Sequence, residues 1–192
     1  MATDRQGRPV DLADLRGRWV VLEFGSLTCN MFASNNARMQ GLADRCEDVH
    51  FAVLYVREAH PGRRIGQPAD LQEKRANARH LASRLRMGRD IWVDDLDGAA
   101  HRTFGALPNS VFVIDPAGRI AYRRDWTVAS DLGDFLAERT VQQGSDRTTT
   151  RQLLVRRFHP GVVLRAGSDA LLDVIRAAPS LARGHLATDR HR

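Results

Sequence analysis

Cys29 is the residue whose type and position most clearly indicate chemistry. It directly follows the segment Phe24-Gly25-Ser26-Leu27-Thr28, at the junction between an apolar predicted strand and a predicted helix. Backbone N–H groups and the helix dipole favour a thiolate there, and can lower a cysteine pKa to about 3.5–7.5. The position therefore predicts an ionised, reactive Cys29. The alternative from residue type alone is a small buried cysteine that only packs.

The second cysteine, Cys46, falls near the far end of the same predicted helix. At about 1.5 Å per residue the two thiols would lie about 25 Å apart, whereas a disulfide needs Cα atoms within about 7 Å. Cys46 is therefore predicted to be structural, and a resolving role would require the helix to unwind. Reduction of an oxidised Cys29 would need an external thiol or a second subunit.

Two short apolar runs, over 19–24 and 51–56, flank a predicted helix over 30–44 that directly follows Cys29. Their β-branched and aromatic residues are typical of buried strands, so this part of the chain predicts a β-α-β unit. Asn30 is available as a helix cap. The later predicted elements are a helix over 70–87, a strand over 91–93, a helix over 98–104, strands over 109–114 and 119–122, and a helix over 130–140.

The resulting order, β-α-β-α-β-α-β-β-α, predicts an α/β fold: a mixed central sheet with helices on both faces. Asp115-Pro116-Ala117-Gly118 is a turn sequence, which makes the last two strands an antiparallel hairpin. Gly88 is expected to stop the helix over 70–87. Tyr55 and Trp92 are interpreted as core residues.

The chain divides by charge into a domain over 1–143 and a basic extension over 144–192. The extension contains nine Arg and four Asp of a chain whose net charge is +6. It is predicted to form short helices over 151–158 and 169–177, whose apolar residues must pack on the main domain or on the second subunit of a homodimer. An Arg-rich tail is most often solvated, so nucleic acid is not expected as a partner.

The 192 residues contain no apolar stretch long enough for a membrane span. The longest run without charge, 24–37, falls short of the about 18 apolar residues required. Asp4, Arg5 and Arg8 stand where the apolar core of a signal peptide would lie. A cytoplasmic protein is expected. The three histidines of the extension, His159, His185 and His191, are too widely and irregularly spaced for a ligand set, and neither a metal nor a bound cofactor is predicted.

Three pieces of the chain carry a resemblance to a known family. They are Phe24 to Cys29, then Tyr55-Val56-Arg57-Glu58-Ala59-His60-Pro61, then Asp94-Asp95-Leu96-Asp97-Gly98 running on to Leu107-Pro108-Asn109. With the opening over 7–29, they resemble a redoxin of the thioredoxin superfamily, and more narrowly the iodothyronine deiodinases and their bacterial relatives. The resemblance covers about 7–140 and implies a thioredoxin-like fold.

The resemblance also implies roles for single residues. Cys29 stands where the animal deiodinases have selenocysteine, the nucleophile that attacks iodine on an aromatic ring. Ser26 and Thr28 match motif positions, and either hydroxyl could stabilise a thiolate by a hydrogen bond. For Ser26 the alternative is packing and capping at the helix entry.

The second and third pieces imply further neighbours of the nucleophile. Glu58 and His60 match a Glu-Ala-His-Pro signature that lies close to it, where His60 would donate a proton or hold substrate. The alternative is a loop pair on the surface. Pro108 fits the cis-proline that thioredoxin folds hold against the active-site cysteine.

The resemblance thus implies a thiol-dependent oxidoreductase that uses Cys29 for reductive dehalogenation or related thiol redox chemistry, with an external thiol as cosubstrate. Two departures from the animal enzymes, Asn30-Met31 after the nucleophile and Arg124-Asp125-Trp126-Thr127 in place of a glycine-rich segment, bear on the substrate. A first alternative is a peroxiredoxin-like peroxide reductase, because Ser26 and Cys29 fit a Thr/Ser-x-x-Cys core, although Leu22 replaces its proline. A second alternative is a non-enzymatic binding module.

Overall fold

A computed structural model of the protein describes residues 2–105 and 108–138. Over these residues the strands are β1 (Thr3–Asp4), β2 (Trp19–Gly25), β3 (Val49–Tyr55), β4 (Asp90–Val93), β5 (Val111–Ile114) and β6 (Ile120–Arg124). The helices are α1 (Asn30–Arg45), α2 (Leu71–Leu85), α3 (Ala99–Phe104) and α4 (Ala129–Glu138), and a 3-10 helix covers Leu12–Leu15. The predicted extension over 144–192, with both of its helices, lies outside the described residues.

The described strands form one mixed sheet in the order β1-β4-β3-β2-β5-β6. The three strands at its centre, β2, β3 and β4, are parallel, and Gly25, Tyr55 and Val93 lie side by side at their carboxyl ends. Strand β5 runs antiparallel to β2, and β6 antiparallel to β5, so the predicted hairpin is confirmed. Whatever follows the three parallel strands is therefore gathered at one edge of the sheet.

Alternate residues of the strands face opposite sides of the sheet and form separate parts of the core. On one side Val21, Phe51 and Val53 pack under α1, α2 and α4. On the other side Leu22, Phe24 and Leu54 pack under α3 and the segment that contains the 3-10 helix. The predicted mixed sheet with helices on both faces is confirmed. Among the described residues no helix is long and apolar enough to cross a membrane.

Three local features differ from the prediction. Strand β1 was not predicted, because two polar residues become a strand only through pairing with β4. The N-cap of α1 is Cys29, and Asn30 is already helical. Helix α2 ends at Leu85 with Arg86 in the left-handed region at φ 50°, two residues before Gly88, whose N–H instead donates to Gln40 Oε1 at 2.9 Å.

Candidate active site

Cys29 lies between β2 and α1, as predicted, and caps the helix with extended backbone. Its N–H donates to the carbonyl of Ser26 at 3.2 Å, and its carbonyl accepts from Ala33 N–H at 3.1 Å. The side chain is 3% exposed and packs with Leu27 and Phe32 among apolar residues of the core. The thiol is therefore at the N-terminus of a 16-residue helix but shielded from water.

Gly25 sets how closely α1 approaches the end of β2. A Cβ at this position would lie 2.4 Å from the ring of Phe32, a distance that real Cβ contacts do not show. Phe32 itself is fully buried in the first turn of α1. The absence of a side chain at Gly25 thus lets the first turn of α1 pack directly on the end of β2. This packing fixes the position of Cys29 at the start of the helix.

The carboxylate of Glu58 is bound to the residue that precedes Cys29. Glu58 Oε2 accepts hydrogen bonds from Thr28 N–H at 2.9 Å and from Thr28 Oγ1 at 2.7 Å. Its other oxygen, Oε1, accepts from the hydroxyl of Tyr55. Glu58 is 1% exposed. A buried carboxylate is thereby satisfied by neutral donors, and among the residues that the structure describes no basic side chain binds it directly.

The chain around Glu58 is held to the loop before Cys29 by its backbone as well. Ala59 N–H donates to Ser26 Oγ at 3.2 Å, and His60 N–H donates to Thr28 Oγ1 at 3.1 Å. Gln67 bonds both backbone groups of Glu58, with its amide oxygen 3.0 Å from the N–H and its amide nitrogen 2.8 Å from the carbonyl. Ser26, Thr28, Glu58 and His60 are thus brought together beside Cys29, although His60 joins through its backbone.

The expected lowering of the Cys29 pKa is not found. Burial raises the pKa of the thiol to about 12, and backbone N–H groups of Phe32 and Met31 offset only part of that effect. The negative charges of Glu23 and Glu58 raise it further. The sequence locates the helix start correctly but does not report the loss of water at the sulfur, which favours the neutral thiol.

Burial also raises the pKa of Glu58, while the hydrogen bonds from Tyr55, Thr28 and Ser26 oppose the rise. Burial, and then the adjacent carboxylate of Glu58, raises the pKa of Tyr55. The hydroxyl of Tyr55 donates a hydrogen bond to the Glu58 carboxylate, and the pKa values of both groups are raised, so both groups favour their protonated forms. Such a carboxyl can accept or release a proton closer to neutral pH than an exposed one.

A second buried carboxylate lies earlier on β2. Glu23 is fully buried and binds Arg89, with Nη1 2.5 Å from Oε2, and Arg89 Nη2 also donates to Asn36 Oδ1 at 2.8 Å. Burial raises the pKa of Glu23, and the charge of Arg89 lowers it. The guanidinium lies 5.9 Å from the ring centre of Phe32. Arg89, the residue before β4, thus links β2 to α1 through Glu23 and Asn36.

Two other residues singled out by the sequence, Pro108 and Cys46, do not contact Glu58 or Thr28 in any hydrogen bond described above. Pro108 is half-buried before β5, but the peptide bond that precedes it involves Leu107, which lies outside the described residues, as does the expected cis geometry. Cys46 is the C-cap of α1, half-buried, so the two thiols stand at opposite ends of one helix as predicted.

Sequence reasoning missed Tyr55, Gln67 and Glu23 as parts of the site. Tyr55 was interpreted as a core residue, which its burial supports, but its hydroxyl binds Glu58. A single Glu inside the apolar run over 19–24 was a usable signal for Glu23, because a buried charge requires a partner. Nothing local in the sequence marked Gln67. Within 2–105 and 108–138 no group of three or more His, Cys, Asp or Glu side chains is placed to hold a metal ion.

The family model for iodothyronine deiodinase matches residues 10–128 of the chain, a span that includes Cys29, Glu58, His60 and Pro108. The chain belongs to the iodothyronine deiodinase family. No curated protein matches it.

Solved structures show the same fold at low sequence identity. A secreted Mycobacterium tuberculosis disulfide oxidoreductase homologous to E. coli DsbE is 16% identical, with a TM-score of 0.56 over 71% of this chain and 93% of its own. A thioredoxin-like protein from Aeropyrum pernix is 14% identical, with a TM-score of 0.57 over 71% and 86%. The thioredoxin-like fold implied by the sequence resemblance is thereby confirmed, and family and fold agree with thiol redox chemistry in general.

Proposed function

We propose that this protein is a thiol-dependent oxidoreductase that reductively dehalogenates an aromatic substrate, with Cys29 as its nucleophile. The observation that carries the proposal is the pair of hydrogen bonds from Thr28 to Glu58, which hold a buried carboxyl one residue away from the thiol. Membership of the deiodinase family supplies the reaction type.

The proposed cycle has three steps. The Cys29 sulfur takes the halogen from the aromatic ring, the ring carbon receives a proton, and a sulfenyl halide forms on Cys29. An external thiol then displaces halide to give a mixed disulfide, and a second thiol releases Cys29 and a small disulfide. No bound cofactor takes part, and a reducing compartment such as the cytoplasm would supply the thiol.

Glu58 is proposed to handle the proton of this cycle. A thiol whose pKa is raised to about 12 does not ionise by itself near neutral pH. If Glu58 accepts the proton as Cys29 reacts, the carboxylate charge that opposes the thiolate disappears in the same step. The raised pKa of Glu58 suits it to this exchange. Thr28 and Tyr55 position the carboxyl, and substrate entry must displace the apolar cover of Cys29.

The test compares Cys29→Ser with Cys46→Ser. Iodide release from an iodinated phenol and consumption of hydrogen peroxide are measured side by side, with dithiothreitol as reductant. We expect Cys29→Ser to abolish halide release and Cys46→Ser to retain most of it. Halide release that survives Cys29→Ser would overturn the assignment of the nucleophile.

Peroxide reduction is the second candidate, favoured by the Ser26-x-x-Cys29 spacing and by a cysteine with no second thiol at its end of α1. In that reaction hydrogen peroxide oxidises the thiol to a sulfenic acid and leaves as water, and external thiol restores it. Peroxide consumption that depends on Cys29, without halide release, would select this function over the first.

The raised pKa of Cys29 favours the non-enzymatic alternative, in which the fold binds a partner and the thiol only packs. Its test is the pH dependence of alkylation at Cys29, with mass mapping to separate Cys46. If iodinated substrate or peroxide brings Cys29 into reaction near neutral pH, the enzymatic proposal stands. If neither does, and Cys29→Ser keeps the cellular phenotype, the binding module replaces it.

A further inference from the structure

A cleft with a volume of about 900 Å³ opens at the edge of the sheet that carries Cys29. It lies where the chain leaves β3 and β4, between the loop before α2 and helix α3, and its lining includes Arg57, Gln67 and Arg102. The carboxyl ends of parallel strands are where α/β proteins generally bind ligands. The cleft therefore lies at the same edge of the sheet as Cys29, where a ligand of this site would bind.

The charge of this cleft is mainly positive. Arg57 and Arg102 are exposed, and Lys74 contributes an ammonium from α2 although its side chain is buried. Lys74 Nζ donates to the carbonyl of Asp95 at 2.7 Å, which leaves two of its three N–H groups for other acceptors. Asp97 is the acidic residue among those that line the cleft. The two exposed guanidinium groups, with one carboxylate among the lining residues, favour an anionic ligand.

Two further carboxylates near the cleft are already engaged by backbone. Asp94 accepts from the N–H groups of Ala100 and His101 at 3.0 Å each. Asp95 accepts from Ala99 N–H at 2.8 Å. Both carboxylates, with that of Glu58, also act on the ammonium of Lys74. The charge of Lys74 is therefore balanced within the fold, and Arg57 and Arg102 supply the positive charge that is open to a ligand.

Gln67 joins the cleft to the nucleophile. It lines the cleft and also bonds the backbone N–H and carbonyl of Glu58. The Glu58 carboxylate in turn binds Thr28, the residue before Cys29. Gln67 thus separates a ligand in the cleft from Glu58, the residue proposed to accept and release the proton.

We propose that this cleft binds the carboxylate groups of the small thiol that regenerates Cys29. The inference rests on the proposed thiol-dependent function, because the half-buried Cys46 at the other end of α1 cannot supply the reducing thiol. The bound thiol would attack the oxidised sulfur of Cys29, releasing water from a sulfenic acid or halide from a sulfenyl halide, to form a mixed disulfide. A second thiol would then release Cys29 as thiol and leave as the small disulfide.

The first experiment measures binding without any chemistry at Cys29. S-Methylglutathione, which carries two carboxylates and no free thiol, is titrated into the full chain by calorimetry at low salt. We expect Arg57→Gln and Arg102→Gln each to weaken binding by up to about fivefold, as for exposed charge pairs. Added salt should weaken it as well. Asp97→Asn should act in the opposite direction and tighten it.

Arg38→Gln is the matched control, because it removes an equal charge from an exposed position on α1 outside the cleft lining. It should leave binding unchanged. Absence of binding at millimolar S-methylglutathione, or equal loss in Arg38→Gln and Arg57→Gln, would overturn the proposal. This result is independent of whether Cys29 turns over any substrate.

The second experiment tests whether the carboxylate bound in the cleft belongs to the reducing thiol or to the substrate. Cys29 in a Cys46→Ser protein is oxidised by peroxide, and its re-reduction is followed with mercaptosuccinate and with neutral 2-mercaptoethanol. We expect Arg57→Gln to slow the re-reduction of Cys29 by mercaptosuccinate and to leave the rate of re-reduction by 2-mercaptoethanol unchanged. If S-methylglutathione binds but the two thiols respond alike, the cleft holds the substrate's carboxylate and the reductant assignment is wrong.

Discussion

Thr28 binds Glu58 twice at one oxygen, through its backbone N–H at 2.9 Å and its hydroxyl at 2.7 Å. The same hydroxyl accepts from the N–H of His60 at 3.1 Å. A single threonine therefore fastens the start of α1 to the chain that leaves β3. Together with the contact between Ser26 and Ala59, this threonine fixes the carboxyl of Glu58 relative to the thiol of Cys29.

Thr28→Val tests this contact, because it preserves the shape of the side chain and removes the hydroxyl. Loss of a hydrogen bond to a buried carboxylate is expected to lower the free energy of unfolding by about 1.5–3 kcal/mol. Thr103→Val is the control: Thr103 is exposed and donates to Ala99 carbonyl within α3, so its loss should stay within about 0.5 kcal/mol. Urea unfolding of both variants measures the difference, and equal effects would contradict the prediction.

Glu58→Gln is expected to make Cys29 more reactive towards alkylation and less active in turnover. The Glu58 charge raises the pKa of the thiol, so its removal lowers that pKa and increases the thiolate fraction at pH 7, tenfold for about each pKa unit. Turnover should fall because Gln cannot take up a proton. The rate of iodoacetamide labelling in a Cys46→Ser protein measures the first effect.

Glu47→Gln removes an exposed charge near the other end of α1 and should change neither quantity. Slower labelling in Glu58→Gln than in Glu47→Gln would mean that Glu58 does not oppose the thiolate. Faster labelling with unchanged turnover would remove Glu58 from the proton steps and leave it a structural role.

Arg89→Met is expected to destabilise the protein in a pH-dependent manner. Removing one partner of a buried ion pair costs about 3–5 kcal/mol, because Glu23 keeps its charge without compensation. Burial raises the pKa of Glu23 above its usual value of 4.5 in the folded protein. The contribution of Glu23 to stability is therefore present below pH 4.5 and declines as pH rises through the folded pKa.

The deficit of Arg89→Met should consequently be small near pH 5 and large near pH 8, on the order of the full ion-pair penalty. The double variant Glu23→Gln/Arg89→Met removes the charge and should recover part of the loss. Chemical unfolding at both pH values gives the comparison. A deficit that is the same at both, with no recovery in the double variant, argues that the pair matters through packing alone.

Gly25→Ala and Gly41→Ala should change stability in opposite directions. At Gly25 the added methyl group meets the Phe32 ring at 2.4 Å, so overpacking should cost about 1–3 kcal/mol and shift the start of α1. At Gly41, inside α1, the nearest atom is the Arg45 guanidinium at 3.5 Å, and Ala should stabilise the helix by about 0.5–1 kcal/mol. Thermal unfolding measures both changes, and loss of stability at both positions would contradict this account.

The sequence was sufficient for the fold because its strands are short apolar runs separated by clear turns. The run over 19–24 becomes β2, and the turn at 115–118 becomes the hairpin. Strand β1 depends on pairing with β4, which starts at residue 90, so no local pattern could reveal it.

The candidate site was predictable in its members more than in its electrostatics. Cys29 follows from its position, and Glu58 from the family signature. The ion pair of Glu23 with Arg89 joins residues 66 positions apart, which only the fold brings together. The rise in the Cys29 pKa has the same origin, because the apolar side chains that exclude water from the sulfur include residues from several elements.

Lys74 is the only lysine in the 192 residues, and its side chain is buried beside the cleft. An amine-acylating reagent therefore meets no solvent-exposed lysine while α2 stays packed. Burial lowers the pKa of Lys74 only while the side chain stays packed, so acylation of its amine requires that packing to open. The rate at which Lys74 is labelled, separated from the N-terminal amine by peptide mapping, would report how often the packing around the cleft opens, at a single side chain and without any introduced probe.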